Sequence, residues 1–203
     1  VKAMVSEALW QRGIVVTSSW GANGIPVAEF TVAEIVFSLK LGWYYVLTGK
    51  REGRLPAKRP VPGMYGSTVG LVSLGMIGRM VAERLRSYEV KVIAYDPYVK
   101  AETAAALGVE LVSLDEVFAQ ADVVSLHTPW LKETEKMIQG RHFALMKPDA
   151  TFLNTARGAV VDEEGMIEVL QNRPDLMAVL DVTYPEPPKP GSPLYTLPNV
   201  VLT

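Results

Sequence analysis

From Thr68 onward, short apolar runs recur along the chain: Val69 to Val72, Val90 to Tyr95, Val109 to Val112, Val123 to Leu126, Thr151 to Asn154, Met177 to Leu180 and Val200 to Leu202. Polar or amphipathic stretches of helical period separate most of them. In the first, Ile77, Val81 and Leu85 share one face while Arg79, Glu83 and Arg86 lie off it. Continuous apolar strands alternating with helices predict a parallel sheet covered on both faces, a doubly wound α/β fold. The N-terminal third has a different pattern. Residues Val1 to Arg12 predict the end of a helix stopped by Gly13, with a short strand at Ile14 to Thr17. Pro26 suits the first turn of a long helix reaching about Leu47. That helix is apolar nearly all round, so it calls for cover on more than one side. Gly49 to Gly66 is a basic, Pro/Gly-rich connector read as a surface loop.

Composition narrows the classes. The 203 residues carry 20 basic and 22 acidic side chains, with 49% hydrophobic residues. This is a globular balance, and a sequence pI near 5.8 without a basic stripe predicts no nucleic-acid partner. Cys is absent, which excludes disulfides and thiolate chemistry, and no metal site is expected. Glu29, Glu34 and Lys40 interrupt the most apolar stretch, so no membrane span is expected. No secretory leader pattern opens the chain, which begins at Val1. A piece of a cytoplasmic protein is the expectation.

In a doubly wound sheet, ligands bind beyond the carboxyl ends of the strands. The residues there are Ser73-Leu74-Gly75-Met76-Ile77-Gly78, Asp96, His127-Thr128-Pro129, Thr155-Ala156-Arg157-Gly158 and Asp181. The first stretch is a near-match to the dinucleotide fingerprint G-x-G-x-x-G. Gly75 lets the backbone approach a pyrophosphate, and Gly78 lets the helix pack tightly on the strand. The helix start at Met76 and Ile77 offers free N–H groups to phosphate. Ser73 stands in place of the first glycine, at a cost on the order of 1 kcal/mol if φ is positive there. Asp96 follows Gly78 by 18 residues, at the end of the next strand, where a carboxylate accepts from ribose hydroxyls and repels a 2′-phosphate. That carboxylate, with no Arg following in Pro97-Tyr98-Val99, favours NAD over NADP. Arg157, between a buried strand and Gly158, presents a planar fork suited to a substrate carboxylate. His127 and His142 lack partners at useful spacing and are read as structural.

The segments Thr68 to Pro97, His127-Thr128-Pro129, Asn154 to Glu163 (NTARGAVVDE) and Asp181 to Pro187 (DVTYPEP) resemble the D-isomer-specific 2-hydroxyacid dehydrogenases. The likeness runs from about Ala8 to the last residue. It implies a Rossmann-type NAD-binding domain, with Arg157 binding the carboxylate and carbonyl of a 2-hydroxy or 2-keto acid and Glu186 pairing with a catalytic histidine. It implies NAD contacts from Met76, Ile77, Asp96, Thr128, Thr155 and Asp181, the last through the carboxamide. Ser73, Gly75, Gly78, Pro129 and Ala156 complete the candidate cofactor set. Family members are usually dimers joined through this domain and its long helix. The resemblance divides the chain into a remnant of a substrate domain (1–25), a linking helix and connector (26–66) and the NAD-binding domain (67–203). The family's catalytic histidine falls just past Thr203, so this polypeptide is expected to be inactive although its parent is an enzyme. A non-catalytic NAD(H)-sensing module, like the corepressors related to this family, is the alternative.

Overall fold

A computed structural model describes residues 5–203. Its sheet has seven strands: β1 (Thr68–Val72), β2 (Lys91–Tyr95), β3 (Val109–Leu111), β4 (Val123–Leu126), β5 (Thr151–Asn154), β6 (Met177–Leu180) and β7 (Val200–Leu202). They pair in the order β3-β2-β1-β4-β5-β6-β7, and every pairing is parallel. Helices α1 (Glu7–Gln11), α2 (Trp20–Leu39), α3 (Gly42–Glu52), α4 (Met76–Leu85), α5 (Ala101–Ala106), α6 (Leu114–Gln120), α7 (Gly140–Leu145) and α8 (Glu163–Asn172), with short 3-10 turns at Gly158–Val160 and Pro193–Tyr195, complete the described elements. Alternate residues of the strands feed two separate cores. One joins Val72, Val124, Leu126, Phe152 and Ala178 to Phe118, Phe143 and Met166 of α6, α7 and α8. The other joins Leu71, Ala94, Val123, Leu153 and Val179 to Ile35, Val81, Leu85 and Ala104 of α2, α4 and α5. The sheet is therefore doubly wound, as the strand pattern predicts.

The N-terminal third departs from its pattern at several points. First, Ile14 to Thr17 form no strand: Val15 is exposed, and no ladder partner lies beside these residues among those described. A strand without a partner leaves its backbone groups to water. Of the helix expected before Gly13, only Glu7–Gln11 is seen, Val1 to Met4 lying outside the described residues; Gly13 does end it, at φ 65°. Second, the long helix starts at Trp20, so Pro26 lies inside α2 rather than in its first turn. Tertiary packing outweighs local propensity there. A side chain on Gly24 would start 2.4 Å from the Met76 methyl group, so this glycine lets α2 lie close along α4. Third, the helix does not run unbroken to Leu47. It stops at Leu39, and Leu41 turns into the left-handed region at φ 55° before α3 begins. Leu41 is buried, so its apolar contacts offset a conformation that is unfavourable for a leucine.

α2 buries a single stripe, Gly24, Ala28, Thr31, Ile35 and Ser38, at helical spacing, and leaves Val36 and Phe37 partly exposed. It is long and apolar enough to cross a membrane by length and composition. Yet Thr31, Glu34 and Ser38 are buried within the protein, where Glu34 Oε2 accepts from Trp43 Nε1 at 2.8 Å. The basic connector is shorter than its composition predicts, because Gly49 to Glu52 form the end of α3 and only the residues from Gly53 onward run as a loop, which is tied down through Arg59. Its amide donates to the Tyr45 hydroxyl at 2.9 Å, its guanidinium lies 4.1 Å from the Tyr44 ring centre, and it pairs with Asp149 at 2.8 Å.

Both histidines are built into this framework. His142 is fully buried beside Phe118, and its Nδ1 accepts from the Gln139 amide at 2.9 Å. His127 shares a hydrogen bond of 3.0 Å between its Nε2 and Ser125 Oγ. Burial pushes His127 down to about 4 and also lowers His142, with Arg141 adding to the second shift. An unfolded histidine takes up its proton near 6.5, so between that pH and about 4 the unfolded state binds more protons than the folded one. Stability is then complete above about pH 6.5 and falls toward pH 4, by at most about 1.4 kcal/mol per unit for each such group. Urea midpoints across this range will show a shallower decline for His127→Gln than for the parent; equal slopes would contradict the assignment.

Candidate functional site

The strands end in register. Tyr95, Val72, Leu126, Asn154 and Leu180 are aligned across β2, β1, β4, β5 and β6. The residues that follow, Asp96, Ser73, His127, Thr155 and Asp181, therefore leave the sheet along one edge. Between β1 and β4 the winding reverses, since β2 and β3 lie to one side of β1 and β4 to β7 to the other. At such a reversal the two crossovers diverge and leave a crevice above the strand ends.

The β1–α4 turn forms one wall of that crevice. Ser73 takes φ 82°, the left-handed conformation that a glycine would adopt without strain. Its amide donates to Tyr95 O at 2.8 Å, and Arg79 Nε donates to Leu74 O at 2.8 Å. Gly78 is sterically required: a Cβ there would stand 2.3 Å from the Ser73 carbonyl oxygen. Gly75 differs, because a Cβ on it would meet nothing within 4 Å. The protein itself does not need a glycine at 75, but a ligand lying against that backbone would. Gly75 is the N-cap of α4 and supplies no capping side chain, so the first-turn amides, including those of Met76 and Ile77, remain available to an anion. Asp96, half-buried, closes the turn from β2. Its Oδ2 accepts from the Leu74 amide at 2.8 Å and from Ser73 Oγ at 3.3 Å, and its Oδ1 accepts from the amides of Tyr98 and Val99 at 2.8 and 3.1 Å. These four donors make Asp96 the residue that ties the β1–α4 turn to the turn after β2.

The other wall is the loop after β5. Asn154 is buried and staples it: Oδ1 accepts from the Ala156 amide at 3.0 Å, and Nδ2 donates to Arg157 O at 3.2 Å. Thr31 gives its one hydroxyl proton to Val27 O at 2.8 Å, so in the 3.0 Å contact between the two hydroxyls it is Thr155 that donates. α2 thereby holds the strand end that carries Arg157. Gly158 packs against the Thr183 backbone, where a Cβ would come within 2.1 Å. Arg157 is left exposed, its guanidinium hydrogen-bonded only to Ala156 O among the described residues. Sequence reasoning singles out neither Asn154 nor Thr31. The signals that point to them are a polar residue ending a buried strand and a threonine within an apolar helix.

Thr128 is buried, its hydroxyl donating to Val72 O at 3.4 Å, and Pro129 beside it is exposed. Asp181 is exposed and accepts from Thr203 Oγ1 at 3.4 Å. Glu186 lies farther along the loop after β6, exposed and without an ion pair or hydrogen bond among the described residues. A groove of about 500 Å³ lies beside that loop, lined by Lys136, Glu163, Ile167, Tyr184 and Lys189. Burial raises the Glu163 carboxyl there. None of the candidate cofactor residues lines this groove.

Comparison with known proteins agrees with the geometry. A D-3-phosphoglycerate dehydrogenase of Archaeoglobus fulgidus is 38% identical over 97% of this chain, which spans 37% of that relative's length. A crystal structure of a Thermus thermophilus protein superposes with a TM-score of 0.79 at 39% identity, over 97% of this chain and 62% of the other. The NAD-complexed D-isomer specific 2-hydroxyacid dehydrogenase of Lactobacillus delbrueckii ssp. bulgaricus superposes at 0.76 with 31% identity, over 89% and 59%. The profile of the family described as D-isomer specific 2-hydroxyacid dehydrogenase, NAD binding domain, matches residues 38–203, and the chain belongs to that family.

Proposed function

We propose that this chain is the cofactor-binding part of an NAD-dependent oxidoreductase acting on a D-2-hydroxyacid and its 2-keto acid. The observation that carries this reading is the common edge onto which the aligned strands deliver the open Gly75 turn, Asp96, Thr155 and Arg157. The residues fit the dinucleotide: backbone without a side chain and uncapped amides for the pyrophosphate, a carboxylate for the ribose, and Thr128, Pro129, Thr155, Ala156 and Asp181 along the remaining edge. NAD, when bound, supplies the two-electron hydride chemistry. Arg157 binds the substrate carboxylate as a bidentate fork, orients the neighbouring carbonyl and stabilises the negative charge that develops on its oxygen. Glu186 holds a catalytic histidine as an ion pair and raises its pKa. Neither His127, tied to Ser125, nor His142, fully buried, is placed for that role. Arg157 and Glu186 favour an enzyme over a sensing module. We assign residues 67–203 to the NAD-binding domain, 26–66 to a linking helix and connector, and 1–25 to a second, substrate-binding domain. A cytoplasmic setting suits the cofactor.

Partial exposure of Val36 and Phe37 on α2 and of Val46 on α3 supports a homodimer through these helices. Sedimentation at increasing concentration will show a dimer that Val36→Glu weakens. A concentration-independent monomer would contradict it.

The catalytic reading is tested by NADH oxidation with a panel of 2-keto acids. The polypeptide of residues 1–203 will show no turnover, whereas a longer chain that adds the catalytic histidine and a complete substrate domain will. Arg157→Ala in the longer chain will lower kcat/KM by about 10²-fold or more. Full activity in that variant would overturn the role of Arg157.

A further inference from the structure

We infer that the Ser73 hydroxyl occupies the position on the Asp96 carboxylate that the adenosine ribose needs, so that Ser73 limits cofactor affinity by competing with a ribose hydroxyl. A carboxylate offers about four lone-pair positions. On Asp96 all four are taken: Oδ1 by the amides of Tyr98 and Val99, Oδ2 by the amide of Leu74 and the hydroxyl of Ser73. Three of these donors are backbone groups whose positions are fixed by the turns that contain them. The Leu74 amide is the most constrained, because the residues around it are held by the Ser73 amide on Tyr95 O and by Arg79 on Leu74 O. The fourth donor is a side chain on one rotatable bond, and at 3.3 Å its hydrogen bond is the longest of the four. It is the one that yields when a ribose hydroxyl arrives.

The inference rests on the reading of this edge as a dinucleotide site, and it assigns a function to a residue that departs from the fingerprint. A glycine at 73 would leave one position on Oδ2 open to the incoming hydroxyl. Serine at φ 82° keeps the turn but fills that position from within. Two consequences of the substitution are separable. The backbone strain is present with and without ligand and so affects stability. The hydroxyl contact exists only while the ribose is absent and so affects affinity.

Calorimetric titration of the chain with ADP and with 2′,3′-dideoxy-ADP tests this. Ser73→Ala removes the hydroxyl and keeps the Cβ; it will bind ADP about three- to tenfold more tightly, the worth of one modest hydrogen bond, and dideoxy-ADP unchanged. Ser73→Gly will tighten ADP to the same extent while raising Tm above that of Ser73→Ala, because only glycine relieves the strain. Equal tightening of both nucleotides, no tightening, or weaker ADP binding in Ser73→Ala would overturn the inference while leaving the dinucleotide site in place. A chain that binds neither ADP nor NADH would overturn the site itself, and the inference with it.

Discussion

The first turn of α4 lies so close to the end of β1 that residue 78 has no room for a side chain: a Cβ would stand 2.3 Å from the Ser73 carbonyl oxygen. This contact sets the angle at which α4 leaves the sheet, and with it the direction of its uncapped amides. Val81, Ala82 and Leu85 then fall onto the sheet in sequence. α2 can lie along α4 only because Gly24 accepts the Met76 methyl group. The helix that holds Thr155, and through it the Arg157 loop, is thus positioned by the same tight turn that begins α4.

The second constraint is topological. A parallel sheet whose winding reverses between β1 and β4 opens a crevice at that point regardless of side chains. The chain supplies the chemistry by placing polar residues directly after buried apolar strands. Asn154, Thr155 and Gly158 turn one such strand end into a rigid mount for an exposed arginine. Preorganisation of this kind is how a fold contributes to orientation and charge stabilisation before any ligand is bound.

Much of this is legible in the sequence. The seven strands are marked by apolar runs, because strands buried on both faces carry few polar residues on either. The Gly75–Gly78 turn and Asp96 are marked by spacing, because that spacing is set by one strand and one helix. Where the reading fails, distant residues decide local structure. Leu41 ends a helix from a left-handed conformation that its composition does not announce, and Trp20 to Ile25 are helical although Gly21, Gly24 and Pro26 argue against it. Ile14 to Thr17 have strand composition but no neighbour to pair with among the described residues. The four donors on Asp96 are also beyond reach, since spacing locates a carboxylate but not its hydrogen-bond partners.

Amide hydrogen exchange of this chain, alone and with saturating NADH or NADPH, tests most directly whether the common strand edge is the cofactor site. NADH will slow exchange in two separate segments, 73–79 and 154–158, and NADPH at the same concentration will leave both near their free rates, because the Asp96 carboxylate repels a 2′-phosphate. Protection confined to the groove beside residues 184–193, or equal protection by the two cofactors, would contradict this placement.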